Sequence, residues 1–200
     1  KIRSMGPAEN ALLGSLGANP TTMAFGDVPS SLQTGVIDGL LTSLGGFNVV
    51  KEQAPYFTVA GINGIVGDYY WFGASNKWWL KLSEKQRSVF TDILINDFIP
   101  FQKAINFCND KRLVDKYKVT DKSKPGIYVM NPSEAAVLQK AEGGATNDWI
   151  KSKVDAIGDK MVDQFTAEAK TLVAANPLGS SALEKTDCTA YAAFFKKYEK

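Results

Sequence analysis

Arg3 is the first side chain in the sequence with chemistry to offer. A guanidinium can grip a carboxylate through two parallel N–H···O bonds, and the Gly6-Pro7 pair that follows would set Arg3 at a cleft wall. Taken alone, an arginine so near the first residue reads instead as a solvated side chain. Aromatic side chains form the next concentration: Tyr69-Tyr70-Trp71-Phe72, then Trp78-Trp79. Alternation along a strand sends Tyr70 and Phe72 to one face and Tyr69 and Trp71 to the other, so one face packs into a core and the other is left for a partner or ligand. The tryptophan pair sits just before a helix start and is expected to pack on that helix.

The same residue types exclude much. There is no histidine, which removes Ser-His-Asp and Cys-His nucleophile systems, His-containing zinc sites and the commonest general base. Cys108 and Cys188 are too few for an all-cysteine zinc site. They read either as two buried, inert thiols or as a disulfide. Asp27, Asp38 and Asp68 lack the spacing of a carboxylate pair or metal site and are read as caps and turns. No glycine-rich phosphate loop is present. No catalytic residue, metal ligand or cofactor is assigned.

A chain of 200 residues with 44% hydrophobic and 22% charged content can bury a core. A net charge of +2 is no basic footprint for nucleic acid, and no apolar run approaches the ~20 residues of a membrane span. The order of elements is α/β. A helix is expected over 6–17, a strand over 21–25, a helical turn from Val28-Pro29 to Gly35, and a short extended Val36-Ile37-Asp38-Gly39 ending in a turn dipeptide. A helix over 42–53, weakened by Gly45-Gly46, precedes strands over 57–59 and 69–74. Ser83-Glu84-Lys85-Gln86 is a capping box opening a long helix with Phe90, Leu94, Phe98, Phe101, Ile105 and Cys108 on one face, and Pro100 should bend it near 96–99. A strand over 127–130 leads into a helix opened by Asn131-Pro132-Ser133-Glu134. A further helix from Thr146 carries Ile150, Val154, Ile157, Met161, Phe165 and Leu172 until Asn176-Pro177, and a last amphipathic helix carries Tyr191, Phe194, Phe195 and Tyr198.

Residues 19–39, NPTTMAFGDVPSSLQTGVIDG, resemble the signature stretch of the DctP-type substrate-binding proteins of TRAP (tripartite ATP-independent periplasmic) transporters. Lys1-Ile2-Arg3 resembles that family's strand motif and Leu82-Ser83-Glu84-Lys85-Gln86 its helix start; the likeness is clear over 1–119 and in outline beyond. The resemblance implies a periplasmic-binding-protein-like, two-lobed α/β fold. It also implies a non-enzymatic periplasmic protein that captures a small organic anion, a carboxylate, for the membrane permease subunits of a TRAP transporter. Arg3 would grip the carboxylate and Phe25 would line the pocket. Thr42 stands where many relatives have a ligand-contacting Asn, which together with Leu40-Leu41 tilts the site toward less polar ligands; Tyr69 and Trp71 complete the candidate set. A ligand-sensing or protein-interaction domain on the same scaffold is the alternative.

On this reading residues 1–75 form a second-lobe α/β segment, 76–119 a strut helix bent near Pro100 with its following strand, and 120–200 helices returning to the first lobe. The chain would then be one complete lobe plus part of another. Relatives carry a whole first half before the arginine strand, so the missing N-terminal half of the same protein is an expected partner, and the chain reads as a fragment or one piece of a cleaved protein.

Overall fold

The computed structural model describes residues 1–60, 73–175, 185–192 and 196. These form a mixed α/β protein with two three-stranded parallel sheets. The chain divides into two compact units, one of residues 1–65 and 113–178, the other of residues 66–112 and 179–200.

The first unit opens with β1 (Ile2–Ser4), α1 (Pro7–Ser15) and β2 (Pro20–Thr22). Pro7 suits the first position of α1, where its missing N–H would have had no partner. The strand expected over 21–25 ends early. Asp27 N–H bonds back to the Ala24 carbonyl, so Phe25 leaves the sheet on a 3₁₀ turn, Phe25–Asp27. Asp27 then precedes α2 (Val28–Gln33) without capping it through its side chain, contrary to the cap expected there. β3 is only Gly39–Leu40, and α3 (Leu44–Val50) follows, capped by Ser43 Oγ accepting from Gly46 N–H.

β1 is central in the first sheet, in the order β2-β1-β3. Ile2 and Arg3 pair with Pro20 and Thr21 on one side and with Gly39 and Leu40 on the other. Val28, Ile37 and Val50 form the core beneath it. The second sheet joins β4 (Tyr56–Val59), β5 (Lys118–Val119) and β6 (Gly126–Val129) in the order β4-β6-β5. Its core is Phe47, Leu113 and Ile127. α3 serves both clusters, presenting Val50 to one and Phe47 to the other, which is how a seven-residue helix with two glycines is held in place by packing. Gly126 begins β6 at φ 142°, where any Cβ would lie 2.5 Å from the Tyr117 carbonyl, so only glycine fits.

Asn131 and Glu134 form a reciprocal capping box opening α7 (Pro132–Glu142). The single helix expected from Thr146 is instead two, α8 (Ala145–Lys151) and α9 (Ala156–Ala175). The break has local causes. Ser152 Oγ bonds back to the Trp149 carbonyl, and the Asp155 carboxylate caps a new start by accepting from Ile157 and Gly158 N–H. Ile157, Met161, Phe165 and Leu172 lie exposed on α9.

In the second unit, α4 (Asn76–Trp79) places both tryptophans edge-on against Phe90 of α5 (Glu84–Ile93), as expected. The capping box at Ser83 is formed in both directions. Ahead of Pro100, where a bend is expected, the helix passes through a π-helical turn, Leu94–Phe98, before α6 (Ile99–Tyr117), whose residues from Leu113 on belong to the first unit. Widening the helix by one residue accommodates the missing proline N–H. Cys108 and Cys188 are joined in a disulfide, resolving the alternative the sequence left open. The strand expected over 69–74 lies outside the described residues up to position 72, and 73–74 are not strand. Most of the last amphipathic helix also lies outside them. Cys188–Tyr191 form a 3₁₀ turn.

Candidate functional site

The connection from β1 through α1 leads to β2 on one side, and the connection from β2 through α2 crosses to β3 on the other. Where neighbouring connections of a parallel sheet diverge in this way, a crevice opens beyond the carboxyl end of the central strand. Arg3 is the middle residue of β1, and its side chain reaches toward that end.

Arg3 is 5% exposed, which overturns the solvated reading that its sequence position alone suggested. Its Nε donates to the Met23 carbonyl at 3.0 Å and its Nη1 to the Leu41 carbonyl at 3.1 Å. Met23 follows β2 and Leu41 follows β3, so the guanidinium is pinned to the ends of both flanking strands. Among the described residues Nη2 donates to none, and no carboxylate forms an ion pair with Arg3. Burial pushes the guanidinium down from its ordinary pKa, opposed by the charge of Glu9. A cation taken out of water is costly unless paired and hydrogen-bonded. Two carbonyls orient this one, and among the described residues no carboxylate pairs with its charge.

The ring of Phe25 lies 5.7 Å from the guanidinium carbon. The early end of β2 is what puts it there, because the 3₁₀ turn folds the ring back toward the strand ends. Thr42 comes in from the other side, two residues beyond β3. A Cβ built on Gly46 would lie 2.1 Å from Thr42 Oγ1 and 3.2 Å from Phe25 Cε2, so the two side chains converge over the bare backbone of α3. Arg3, Phe25 and Thr42 are thus brought into one cluster. Tyr69 and Trp71 lie outside the described residues.

Ser4, the next residue on β1, points to the other face and is fully buried. Its hydroxyl donates to Asn10 Oδ1, and Asn10 Nδ2 donates to Thr22 Oγ1. This network ties α1 to the ends of β1 and β2 and so fixes the strand end that carries Arg3.

Sequence reasoning missed three members of the site: the carbonyls of Met23 and Leu41 and the backbone of Gly46. Carbonyl partners carry no residue signature. Gly46 had a signal, since a glycine pair in the first turn after the capping Ser43 marks close backbone approach as well as a weak helix. Among the described residues no cluster of acidic or cysteine side chains could hold a metal ion, and no helix is long and apolar enough to cross a membrane.

No match is found among individually curated proteins. The profile of the bacterial extracellular solute-binding proteins, family 7 (DctP), matches residues 1–153, which include every described residue of the Arg3 cluster and well over half of the sequence. The chain belongs to the DctP family of extracytoplasmic solute-binding proteins that serve TRAP transporters.

Proposed function

We propose that this chain binds a small organic carboxylate at the Arg3, Phe25 and Thr42 cluster and delivers it, in the periplasm, to the permease subunits of a TRAP transporter. Like its family, it is a binding protein and not an enzyme. One observation carries the carboxylate reading: a buried guanidinium at the switch point of the sheet, held by two backbone carbonyls, with no described counter-ion. An incoming carboxylate supplies the missing negative charge and accepts from Nη2 in the plane already set by Nε and Nη1. The face of Phe25 and the methyl of Thr42 offer the apolar contact that orients the rest of a small ligand. Closure of a two-lobed, periplasmic-binding-protein-like fold around it follows if the closed form adds contacts that the open form lacks.

Isothermal titration of the intact protein with a panel of mono- and dicarboxylates tests the reading. At least one should bind, and Arg3→Ala should weaken it ~30-fold or more, since losing one partner of a buried charge pair costs ~2–5 kcal/mol. Arg3→Lys keeps the charge but loses the planar fork, and should weaken binding less than Arg3→Ala. Binding of no carboxylate, or retention of wild-type affinity by a folded Arg3→Ala protein, overturns it.

A further inference from the structure

The charges that residues 1–51 place around Arg3 are few, and their placement bears on which carboxylates fit. Residues 4–50, which supply the rest of β1 and everything through α3, contain no lysine or arginine. Lys1 precedes β1, and its ammonium donates to the Gly35 carbonyl, away from the carboxyl end of the strand. Lys51 follows the carboxyl end of α3 and donates to the Asn48 carbonyl. Thr42 and Gly46 meet at the opposite, amino end of that helix. Arg3 is therefore the one cation that residues 1–51 bring to the carboxyl end of β1.

One anion stands close by. Glu9 lies in the first turn of α1, and its Oε2 reaches back to 3.2 Å from where a Gly6 Cβ would sit. Gly6 is only two residues beyond the end of β1, so the carboxylate hangs over the backbone that leaves the Arg3 strand. Its charge is felt at the guanidinium, where it opposes the effect of burial without forming an ion pair. The carbonyls of Met23 and Leu41 add the negative ends of two further dipoles around the same group.

We infer that the site selects monocarboxylates over dicarboxylates, with Glu9 as the residue that turns away a second carboxylate. This rests on the carboxylate reading of the Arg3 cluster and narrows it. A monoanion satisfies the one uncompensated charge and leaves its remaining atoms to Phe25 and Thr42. A second carboxylate on a small ligand must be desolvated with no further cation from residues 4–50 and with Glu9 repelling it. For two like charges ~8 Å apart in an effective dielectric of ~20–40, Coulomb's law makes such a repulsion worth about 5- to 30-fold in relative affinity. A first-turn acid also favours the dipole of its own helix, but that role is blind to the charge of the ligand.

The test uses chain-matched pairs, butyrate with succinate, 2-oxovalerate with 2-oxoglutarate, and benzoate with phthalate, titrated calorimetrically into the intact protein at neutral pH. The wild-type protein should favour the monocarboxylate of whichever pair it binds. Glu9→Gln, nearly isosteric, should move that ratio about tenfold toward the dicarboxylate, and Glu9→Lys should move it further. Melting temperatures without ligand establish that both variants fold. A wild-type preference for the dicarboxylate, or an unchanged ratio in folded Glu9→Gln, overturns the role of Glu9 while leaving the Arg3 reading intact. Absence of any carboxylate binding removes both.

Discussion

Replacing Gly46 by alanine would insert a methyl carbon 2.1 Å from Thr42 Oγ1 and 3.2 Å from both Thr42 Cβ and Phe25 Cε2. In an unconstrained helix the same change is favourable by up to about 1 kcal/mol, because glycine loses more backbone freedom on folding. Here the methyl has nowhere to go. Thr42 is β-branched and stiff, so rotating its hydroxyl away leaves its Cβ still too close, and the Phe25 ring closes the other side. Overpacking of this kind costs ~1–3 kcal/mol, giving a net destabilisation of ~0–2 kcal/mol after the helix gain. Thr42→Ala removes the atom in closest conflict. In that background Gly46→Ala should lose most of its penalty, giving a coupling of about 1 kcal/mol or more between the two positions. Urea denaturation of both single variants and the double variant measures the cycle. Calorimetry on Gly46→Ala should also show weaker carboxylate binding, because Phe25 and Thr42 are both displaced. A stabilised Gly46→Ala protein with coupling under about 0.3 kcal/mol would refute the convergence of Thr42 and Phe25 over α3.

Two further outcomes follow from other parts of the molecule. The Glu134 carboxylate accepts from the Tyr128 hydroxyl at 2.7 Å and from Asn131 N–H at 3.1 Å, with Lys122 at 3.8 Å, and these hold it below its ordinary value of 4.5. Because the folded state binds this proton more weakly than the unfolded chain, its contribution is fully present above pH 4.5 and is lost as the pH falls toward the lower folded value. Melting temperatures between pH 2 and 6 should therefore fall less steeply for Glu134→Gln, and an unchanged slope counts against the bonds described. Reduction of the Cys108–Cys188 bridge, or Cys188→Ser, frees two segments 80 residues apart in sequence. The unit that holds them should lose ~2–4 kcal/mol, read as an earlier transition with reductant present, and coincident transitions with and without reductant would show that the bridge is not stabilising.

What could be read along the chain was whatever depends on a few neighbouring residues. Ser83 with Gln86 and Asn131 with Glu134 are complete capping devices within four residues, and both formed. Pro100 marked an irregular turn, which is π-helical, because its missing N–H affects only the turn before it. The failures were also local, but of competing signals. The apolar spacing from Ile150 to Leu172 ran through Ser152 and Asp155, whose side chains bond the backbone in ways that stop one helix and start another. Phe25 followed β-branched and apolar residues and read as strand until the turn at Gly26-Asp27 claimed it.

The candidate site divides along the same line. Sequence by itself supplied Arg3, Phe25 and Thr42 through ordered motifs, together with the scarcity of other cations in residues 1–50 and the absence of histidine. Tertiary structure decided that Arg3 is buried, that its guanidinium bridges Met23 and Leu41, that Gly46 is the floor on which Phe25 and Thr42 meet, and that Cys108 and Cys188 are bonded. These join positions up to 80 residues apart, or depend on which strands flank β1. Strand order and register are set by how the apolar faces of whole elements bury against one another. No short window of sequence contains that information, so the chemistry of Arg3 becomes visible only once its neighbouring strands are known.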